Sequence, residues 1–475
     1  MNSRASATLT PDLCIIGAGS AGLSVAAAAA QMGAAVVLIE RGEMGGDCLN
    51  VGCVPSKSLI AAAAAAQSMR TGTPFGVAPA RPEVDFAGVR QHVRDVIAGI
   101  APMDSVERFQ RLGVEVIREQ ARFSGPDEVV AGLRRVRARR FVVATGSRPA
   151  VPPIAGLGAG PYLTNETVFD LARLPTRLLV LGGGAIGCEL AQAFRRLGSE
   201  VVLADMGPIL AKDDPELTAV VRCRLTSEGI ELREHVRVTG VETGPALFIE
   251  GAAGREVLAG SDLLIATGRK PQVEDLGLEI AGIAHDAQGI KVDARLRTTN
   301  ARVFAIGDVA GGMQFTHRAN YQAGIVIRNA LLRWPARASD RAIPRVTFTD
   351  PELASVGLSE AAARSAGVSH EVLRWPLADN DRARAERTTA GLIKVVAGKR
   401  GRILGAAIVG SHAGELILPW VLAVQQRMKL SAMAGVVAPY PTLSEISKRV
   451  AGAYYAPRLF SDRVRWLVHL LAKLG

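Results

Sequence analysis

The first apolar run, Leu13-Cys14-Ile15-Ile16, is too short for a helix and carries a β-branched pair. It predicts a strand buried in a parallel sheet. A glycine-rich turn follows, Gly17-Ala18-Gly19-Ser20-Ala21-Gly22, then an Ala-rich helical stretch to about Met32. A second apolar strand, Ala35-Val36-Val37-Leu38-Ile39, ends at Glu40. The same five-part order recurs downstream. The strand Arg177 to Leu181 leads into Gly182-Gly183-Gly184-Ala185-Ile186-Gly187, a helix from Cys188 to Leu197, a strand from Glu200 to Ala204, and Asp205. In both copies the acidic residue lies 18 residues beyond the last glycine. Two other strands end alike, Phe141-Val142-Val143 in Ala144-Thr145-Gly146 and Leu263-Leu264-Ile265 in Ala266-Thr267-Gly268, as expected where the chain crosses between domains. Val303-Phe304-Ala305-Ile306-Gly307 is one more apolar run, ending at Asp308. From about Ala342 the strands alternate as half-exposed ones do and helical patterns surround them, so a separate α+β domain is expected there.

Strand, GxGxxG, helix, strand and acid in that order are the dinucleotide fingerprint in its required context. Gly17, Gly19 and Gly22 allow the tight turn and the approach of a pyrophosphate, which would sit on helix N-terminal amides near Ser20 and Ala21. Glu40 would accept from ribose hydroxyls. Gly182, Gly184, Ala185, Ile186, Gly187 and Asp205 repeat the device. Glycine-rich turns with no ligand would have to reproduce the whole order twice. Two fingerprints imply two nucleotides, one a flavin and the other a nicotinamide dinucleotide.

At 475 residues, and ~150 residues per domain, about three domains are expected. Hydrophobic residues at 48% and charged ones at 21% exclude a disordered or fibrous chain. The apolar runs read as shorter than the ~18 residues of a membrane span, and the polar start, Met1 to Pro11, does not read as a secretory signal. The formal charge of +11 fits nucleic acid, an anionic membrane or acidic cofactors. Its densest run, Arg134-Arg135-Val136-Arg137-Ala138-Arg139-Arg140, reads as a solvated hairpin face and comes with no nucleic-acid motif. Five cysteines argue against a disulfide-stapled secreted domain. Cys14, Cys188 and Cys223 read as small buried hydrophobes. Cys48 and Cys53 stand five apart without a second pair at zinc-like spacing, which favours redox over metal binding.

The segment from Gly45 and Gly46 through Asp47, Cys48, Leu49, Asn50, Val51, Gly52, Cys53, Val54, Pro55 and Ser56 to Lys57, together with both fingerprints, resembles the FAD-dependent pyridine nucleotide-disulfide oxidoreductases. Dihydrolipoamide dehydrogenase, glutathione reductase and mercuric reductase belong to that family. The resemblance covers roughly Asp12 to Tyr455. It implies an α/β fold with two Rossmann-like domains and a C-terminal α+β dimerisation domain. The implied boundaries are 1–150 and 271–341 for the two parts of the FAD and central domain, 151–270 for the NAD(P)H domain, 342–457 for dimerisation, and 458–475 for a basic amphipathic helix. A cytoplasmic homodimer with FAD and a nicotinamide cofactor is implied.

By the resemblance, Cys48 is the interchange thiol and Cys53 the thiol against the flavin, with hydride passing from nicotinamide to flavin to disulfide to substrate, or the reverse. A helix starting near Pro55 would lower the Cys53 pKa through its positive end. Lys57 would lie near the flavin and pair with Glu189; taken alone, each would be an ordinary helix-surface charge. Gly46, Asp47, Thr145, Gly146, Asp308, Thr316 and His317 would bind FAD, and Gly268 the nicotinamide nucleotide. His317 alone reads equally well as a capping or solvent-facing residue. Asp205 would accept from a free 2′-hydroxyl and repel a 2′-phosphate, so NADH is expected over NADPH.

Two departures stand out. Disulfide-exchanging members carry a histidine base where this chain reads Ala438-Pro439-Tyr440-Pro441-Thr442, although Glu445 is kept. A phenol of pKa ~10 is a poor base at neutral pH beside imidazole at ~6.5. Tyrosine there resembles mercuric reductase, but the cysteine pair that those enzymes carry near the C-terminus has no counterpart in Leu471-Ala472-Lys473-Leu474-Gly475. Thiol-bound metal or disulfide reduction is therefore expected, with a plain dihydrolipoamide dehydrogenase and a redox-sensing flavoprotein of little turnover as alternatives. The second departure is the tail. Phe460, Val464, Leu467, Val468, Leu471 and Leu474 fall on one helical face among Arg458, Arg463, Arg465 and Lys473. Docking on its own subunit or dimer partner is weighed there above peripheral contact with an anionic membrane.

Overall fold

The computed structural model describes residues 8–242 and 244–474. The polar stretch before Thr8, on which most of the no-signal reading rests, and Gly475 at the end of the tail lie outside them. The described chain divides into two compact units: residues 1–182, 196–200 and 237–339, and residues 183–195, 201–236 and 340–475.

The first unit is built on a five-stranded parallel sheet. Leu13–Ile16 pairs in register with Val36–Ile39 on one side and Arg140–Val143 on the other. Val114–Ile117 and Val303–Ala305 complete the two edges. Both faces are covered, which explains why its strands read as unbroken apolar runs. Helices Ser20–Gln31 and Thr316–Ala330 pack on one face through Ala26, Ala29, Ala323 and Val326. Phe123, Val129 and Val136 of a small antiparallel sheet cover the other, with Phe123 edge-on to Phe141 at 5.5 Å.

The two Ala-Thr-Gly turns do more than mark crossings. After them, Ser147–Pro149 and Arg269–Pro271 pair antiparallel with each other, so the two chain segments leave as one ribbon. Arg177–Leu181 pairs parallel with Asp262–Ile265, the strand before the second turn.

In the second unit, residues 201–204 pair parallel with 230–233. A five-stranded antiparallel sheet follows, in the order Arg345–Thr347, Glu352–Gly357, Arg402–Gly410, Leu392–Gly398 and His370–Pro376. Helices Leu418–Gln425 and Glu445–Ala453 close its core around Trp420, whose indole N–H donates to Ser447 Oγ at 3.0 Å.

Three readings change. The stretch Gly46–Arg70 is long and apolar enough to cross a membrane by length and composition, which the shorter apolar runs did not suggest. Alanines supply much of that hydropathy, and Pro55, Ser58, Leu59, Ala63 and Ala66 are the residues of the helix Cys53–Arg70 that the fold buries. Cys223 is exposed, on the solvent side of the helix Pro215–Ser227, whereas Cys14 and Cys188 are buried as expected. Of the arginine run only Arg134–Val136 is the hairpin strand, and four of its five arginines are paired. Arg135 and Arg137 both pair with Glu128, Arg134 with Glu115 and Arg139 with Asp12.

The turn at Gly17 fixes the entry to the first helix. A Cβ on Gly22 would lie 1.8 Å from the Gly17 carbonyl oxygen, so backbone has to move to admit it. Gly22→Ala is expected to destabilise the first unit by about 1–3 kcal/mol, seen as an earlier urea transition. A transition matching that of the parent would show that this packing is not required.

Candidate active site

The strand Leu13–Ile16 delivers Gly17 into the turn at φ +103°, where a Cβ would meet the Ala144 carbonyl oxygen at 2.4 Å. Gly19 then starts the helix Ser20–Gln31. No side chain caps that helix and its first turn holds no acid, so the first-turn amides at Ser20, Ala21 and Gly22 keep their positive potential for an anion. Glu40 is clamped by two backbone amides: Oε2 accepts from Ala18 at 2.5 Å and Oε1 from Gly42 at 2.7 Å. The cysteine segment rests on this turn. Gly45 N–H donates to Ala18 O at 3.0 Å, and a Cβ on Gly46 would lie 2.7 Å from Gly19 Cα. The ring of glycines leaves a cradle that side chains would fill.

The second fingerprint folds by the same rules. Gly182, at φ +113°, meets the Ala266 carbonyl as Gly17 meets that of Ala144, and Gly268 turns at φ +130°. Both belong to the first unit. In the second unit, Asp205 Oδ2 accepts from Gly183 at 2.6 Å and Oδ1 from Gly207 at 2.7 Å. Each carboxylate thus grips the amides 22 residues before it and two after it. Gly184 and Ile186 are exposed and Gly187 is buried at the start of the helix Ala185–Leu197.

Cys48 lies on the short helix Gly46–Asn50, whose Asn50 amide donates to the carbonyls of Met44 and Gly46. Cys53 is the first residue of the helix Cys53–Arg70, so the helix starts two residues before the Pro55 signal. Both thiols are free, Cys48 half-buried and Cys53 exposed. The hydrogen bond from Cys48 is the largest influence on Cys53. With Thr316 and the Lys57 charge it draws the thiol down to about 6, against the loss of solvation that opposes it. Cys48 moves the other way, held protonated by that hydrogen bond and by burial. Burial alone pushes Cys14 well up, and it is the main cause for Cys188, so neither is a nucleophile at neutral pH.

Sequence reasoning missed Arg269. Its guanidinium donates to Ser147 Oγ at 2.7 Å, to Ser147 O at 2.8 Å and to Asn165 Oδ1 at 3.3 Å, and pairs with Asp47. Asn165 in turn donates to Val51 O at 3.1 Å. Arg269 therefore brackets the segment that carries Cys48 from both sides. Asp308 accepts from Ser147 Oγ at 2.5 Å and lies 3.9 Å from Arg269; burial raises its carboxyl, against the pull of these partners. The signal available in sequence was position: Arg269 directly follows the second Ala-Thr-Gly turn.

Thr316 was expected at the flavin; its Oγ1 lies 3.4 Å from Cys53 Sγ, so it also touches the thiol. His317 stacks on Phe315 at 5.1 Å. Thr145 Oγ1 donates to Gln272 O at 2.8 Å, and Gly146 turns at φ +73°. Lys57 Nζ reaches Ser56 Oγ at 3.4 Å. Glu189, in the second unit, is buried and accepts from Phe348 N–H at 2.9 Å. Tyr440 is exposed and its phenol donates to Asp381 Oδ2 at 3.0 Å, which raises its pKa. Glu445 is taken by Arg449, at 2.9 Å. Asp381 had no sequence signal of its own.

The glycine cradle, the uncapped helix start and the clamped Glu40 fit the FAD dinucleotide; Asp205 and its glycines fit a second one. Residues 11–323 match the family model for the pyridine nucleotide-disulphide oxidoreductases, and residues 343–451 match that family's dimerisation domain, which supports a homodimer. A mercuric reductase of Streptomyces lividans is 36% identical, over 93% of this chain and 96% of its own. A dihydrolipoyl dehydrogenase of Thermus scotoductus is 37% identical, over 92% and 95%. The Cu(II) complex of the HOCl-induced flavoprotein disulfide reductase RclA from Escherichia coli superposes with a TM-score of 0.83 at 28% identity, over 93% and 99%. Fold, cysteine segment and relatives agree: the chain belongs to the pyridine nucleotide-disulfide oxidoreductases, flavoenzymes that use FAD and NAD(P)H.

Proposed function

We propose that the protein is an NADH-dependent reductase whose Cys48–Cys53 pair acts on a thiol-bound metal ion or a disulfide, in the manner of mercuric reductase. The Tyr440–Asp381 hydrogen bond carries the choice of substrate class. A phenol that already donates to a carboxylate, and whose pKa is raised by it, cannot take a proton from a thiol near neutral pH. Dihydrolipoamide oxidation needs such a base, and the family's disulfide exchange uses one; reduction of a thiol-bound metal ion relies on it least, because it starts from thiols that are already poised.

Bound FAD would supply the two-electron relay between reduced nicotinamide and the cysteine pair, held by Gly17, Gly19, Gly22, Gly46, Glu40 and Asp308. On the reduced pair, the low Cys53 pKa and the protonated Cys48 keep one proton shared between two sulfurs. With a disulfide substrate, Cys48 Sγ bonds to one substrate sulfur while the other leaves as a thiol, taking a proton. Cys53 thiolate then attacks Cys48 Sγ, the second substrate sulfur leaves as a thiolate that takes its proton from water, and the Cys48–Cys53 disulfide re-forms. With a thiol-bound metal ion, the two cysteine sulfurs replace the carrier thiols; one carrier leaves with the proton of Cys48 and the other takes its proton from water. By the family plan, Tyr440 of one subunit faces the cysteines of the other. The clamped Asp205 carboxylate supports NADH, because a 2′-phosphate beside it would meet like charge with no arginine between 206 and 211 to offset it.

Three measurements bear on this. kcat/KM with NADH should exceed that with NADPH by roughly a hundredfold, from the several kcal/mol that like charges cost, and Asp205→Ser should narrow the gap. Equal use of both cofactors by the parent enzyme would reject the assignment. Cys53 has a lowered pKa, so thiolate is present above about pH 6 and lost as the pH falls through that value. Alkylation of the reduced enzyme should first rise near pH 6, and Thr316→Val should move that rise upward. An unmoved profile would remove Thr316 from the site. Finally, Tyr440→His should raise NAD⁺ reduction by dihydrolipoamide at least tenfold, a part of the ~10²–10⁴ that a fully positioned base contributes. Fast turnover by the parent enzyme would instead favour the dihydrolipoamide dehydrogenase reading.

A further inference from the structure

We propose that the helix Asp462–Leu471 and the turn after it form a peripheral anchor that lies flat on an anionic lipid surface. None of the helix's residues is buried. Trp466 is 66% exposed, Leu467 44%, Leu471 53% and Leu474 77%. At 100° per residue, Leu467, Leu470, Leu471 and Leu474 share one arc with Val464 and Val468, while Asp462, Arg465, His469 and Lys473 take the opposite side. Trp466 falls at the border beside Lys473, where an interfacial aromatic sits. Over the tail, Arg458, Arg463, Arg465 and Lys473 stand against one acid, Asp462.

Two observations favour lipid over a second copy of the chain. The match to the dimerisation domain ends at residue 451, so this helix lies beyond the segment that the family's subunit contact explains. Arg463 also falls inside the apolar arc. At a bilayer its stem lies along the apolar layer while the guanidinium reaches the phosphates, whereas two copies of a tail with four basic residues against one acid would repel each other face to face. A single short amphipathic helix gives reversible attachment, strengthened by each basic residue. The docking of the tail on its own subunit, weighed above from sequence, is not what the exposed leucines show.

The test uses the full-length, FAD-loaded protein with vesicles of phosphatidylcholine alone and of phosphatidylcholine with phosphatidylglycerol at about 3:1. The parent protein should sediment with the anionic vesicles at least tenfold better than with the neutral ones, less so in high salt, with a blue shift of Trp466 fluorescence absent from Trp466→Phe. Arg463→Gln with Arg465→Gln should weaken binding on the order of 25-fold, from about fivefold for each basic residue. Leu467→Asp with Leu471→Asp should abolish it while NADH oxidation and the dimer persist. Equal sedimentation of the parent and the Leu467→Asp, Leu471→Asp protein would overturn the proposal. So would conversion of that variant to monomer without any vesicle binding by the parent, which would assign the face to a second copy.

Discussion

The carbonyl of Ala144 stands 2.4 Å from where a Cβ on Gly17 would be, and the carbonyl of Ala266 stands in the same relation to Gly182. These contacts tie the strand that begins each nucleotide turn to the neighbouring parallel strand that ends in Ala-Thr-Gly. In the first unit they start a series. The Gly17 carbonyl excludes a Cβ at Gly22, which seats the helix; the Gly19 Cα excludes one at Gly46, which seats the cysteine segment. Each link is backbone against backbone, so none can be relieved by turning a side chain. The position of Cys48 is thereby inherited from the sheet rather than set by a loop. A thiol that must meet both a cofactor and a substrate needs such placement, since small displacements cost large factors in rate.

Position alone does not make a nucleophile. Asp47 adjoins Cys48, and Asp308 lies within reach of the same arginine; uncompensated, such carboxylates would work against a thiolate. Arg269 takes up both, and through Asn165 it also holds the carbonyl of Val51 between the two cysteines. With the acids neutralised, short-range groups decide the outcome: the Cys48 hydrogen bond first, then Thr316 and Lys57. A thiol moved from 9 to about 6 is mostly thiolate at pH 7 rather than about one part in a hundred. Preparing one sulfur while its neighbour stays protonated lets the pair act in sequence: Cys48 passes its proton to the first leaving thiol, and the Cys53 thiolate is ready to close the disulfide.

What was legible in the sequence is what is local in the chain. The strands, the glycine turns and the spacing to Glu40 and Asp205 repeat within some thirty residues, so periodicity and turn chemistry reveal them. The contacts that complete the site join distant positions: Gly17 to Ala144, Asp47 to Arg269, Cys53 to Thr316, Tyr440 to Asp381. No pattern within one segment encodes them. Arg269 looked like any arginine at a strand start, and Cys223 like any cysteine in a helical run. The missing imidazole was visible because it is a substitution inside a motif, but the partner that fixes the phenol in its protonated form was not.

The same distinction governs the net charge. A charge acts over about a Debye length, ~8 Å at physiological salt, so a sum over the chain says little until each cation is placed. Four of the five arginines in the densest basic run pair with Glu115, Glu128 and Asp12. Lys394, deep in the second unit, is surrounded by Asp214, Glu216 and Glu360. Both groups belong to the architecture and leave little field outside it. In the tail, four basic residues meet one acid beside a row of exposed leucines. There the excess is local, adjacent to apolar surface and unabsorbed by the fold, and only such an excess can recognise anything beyond the protein.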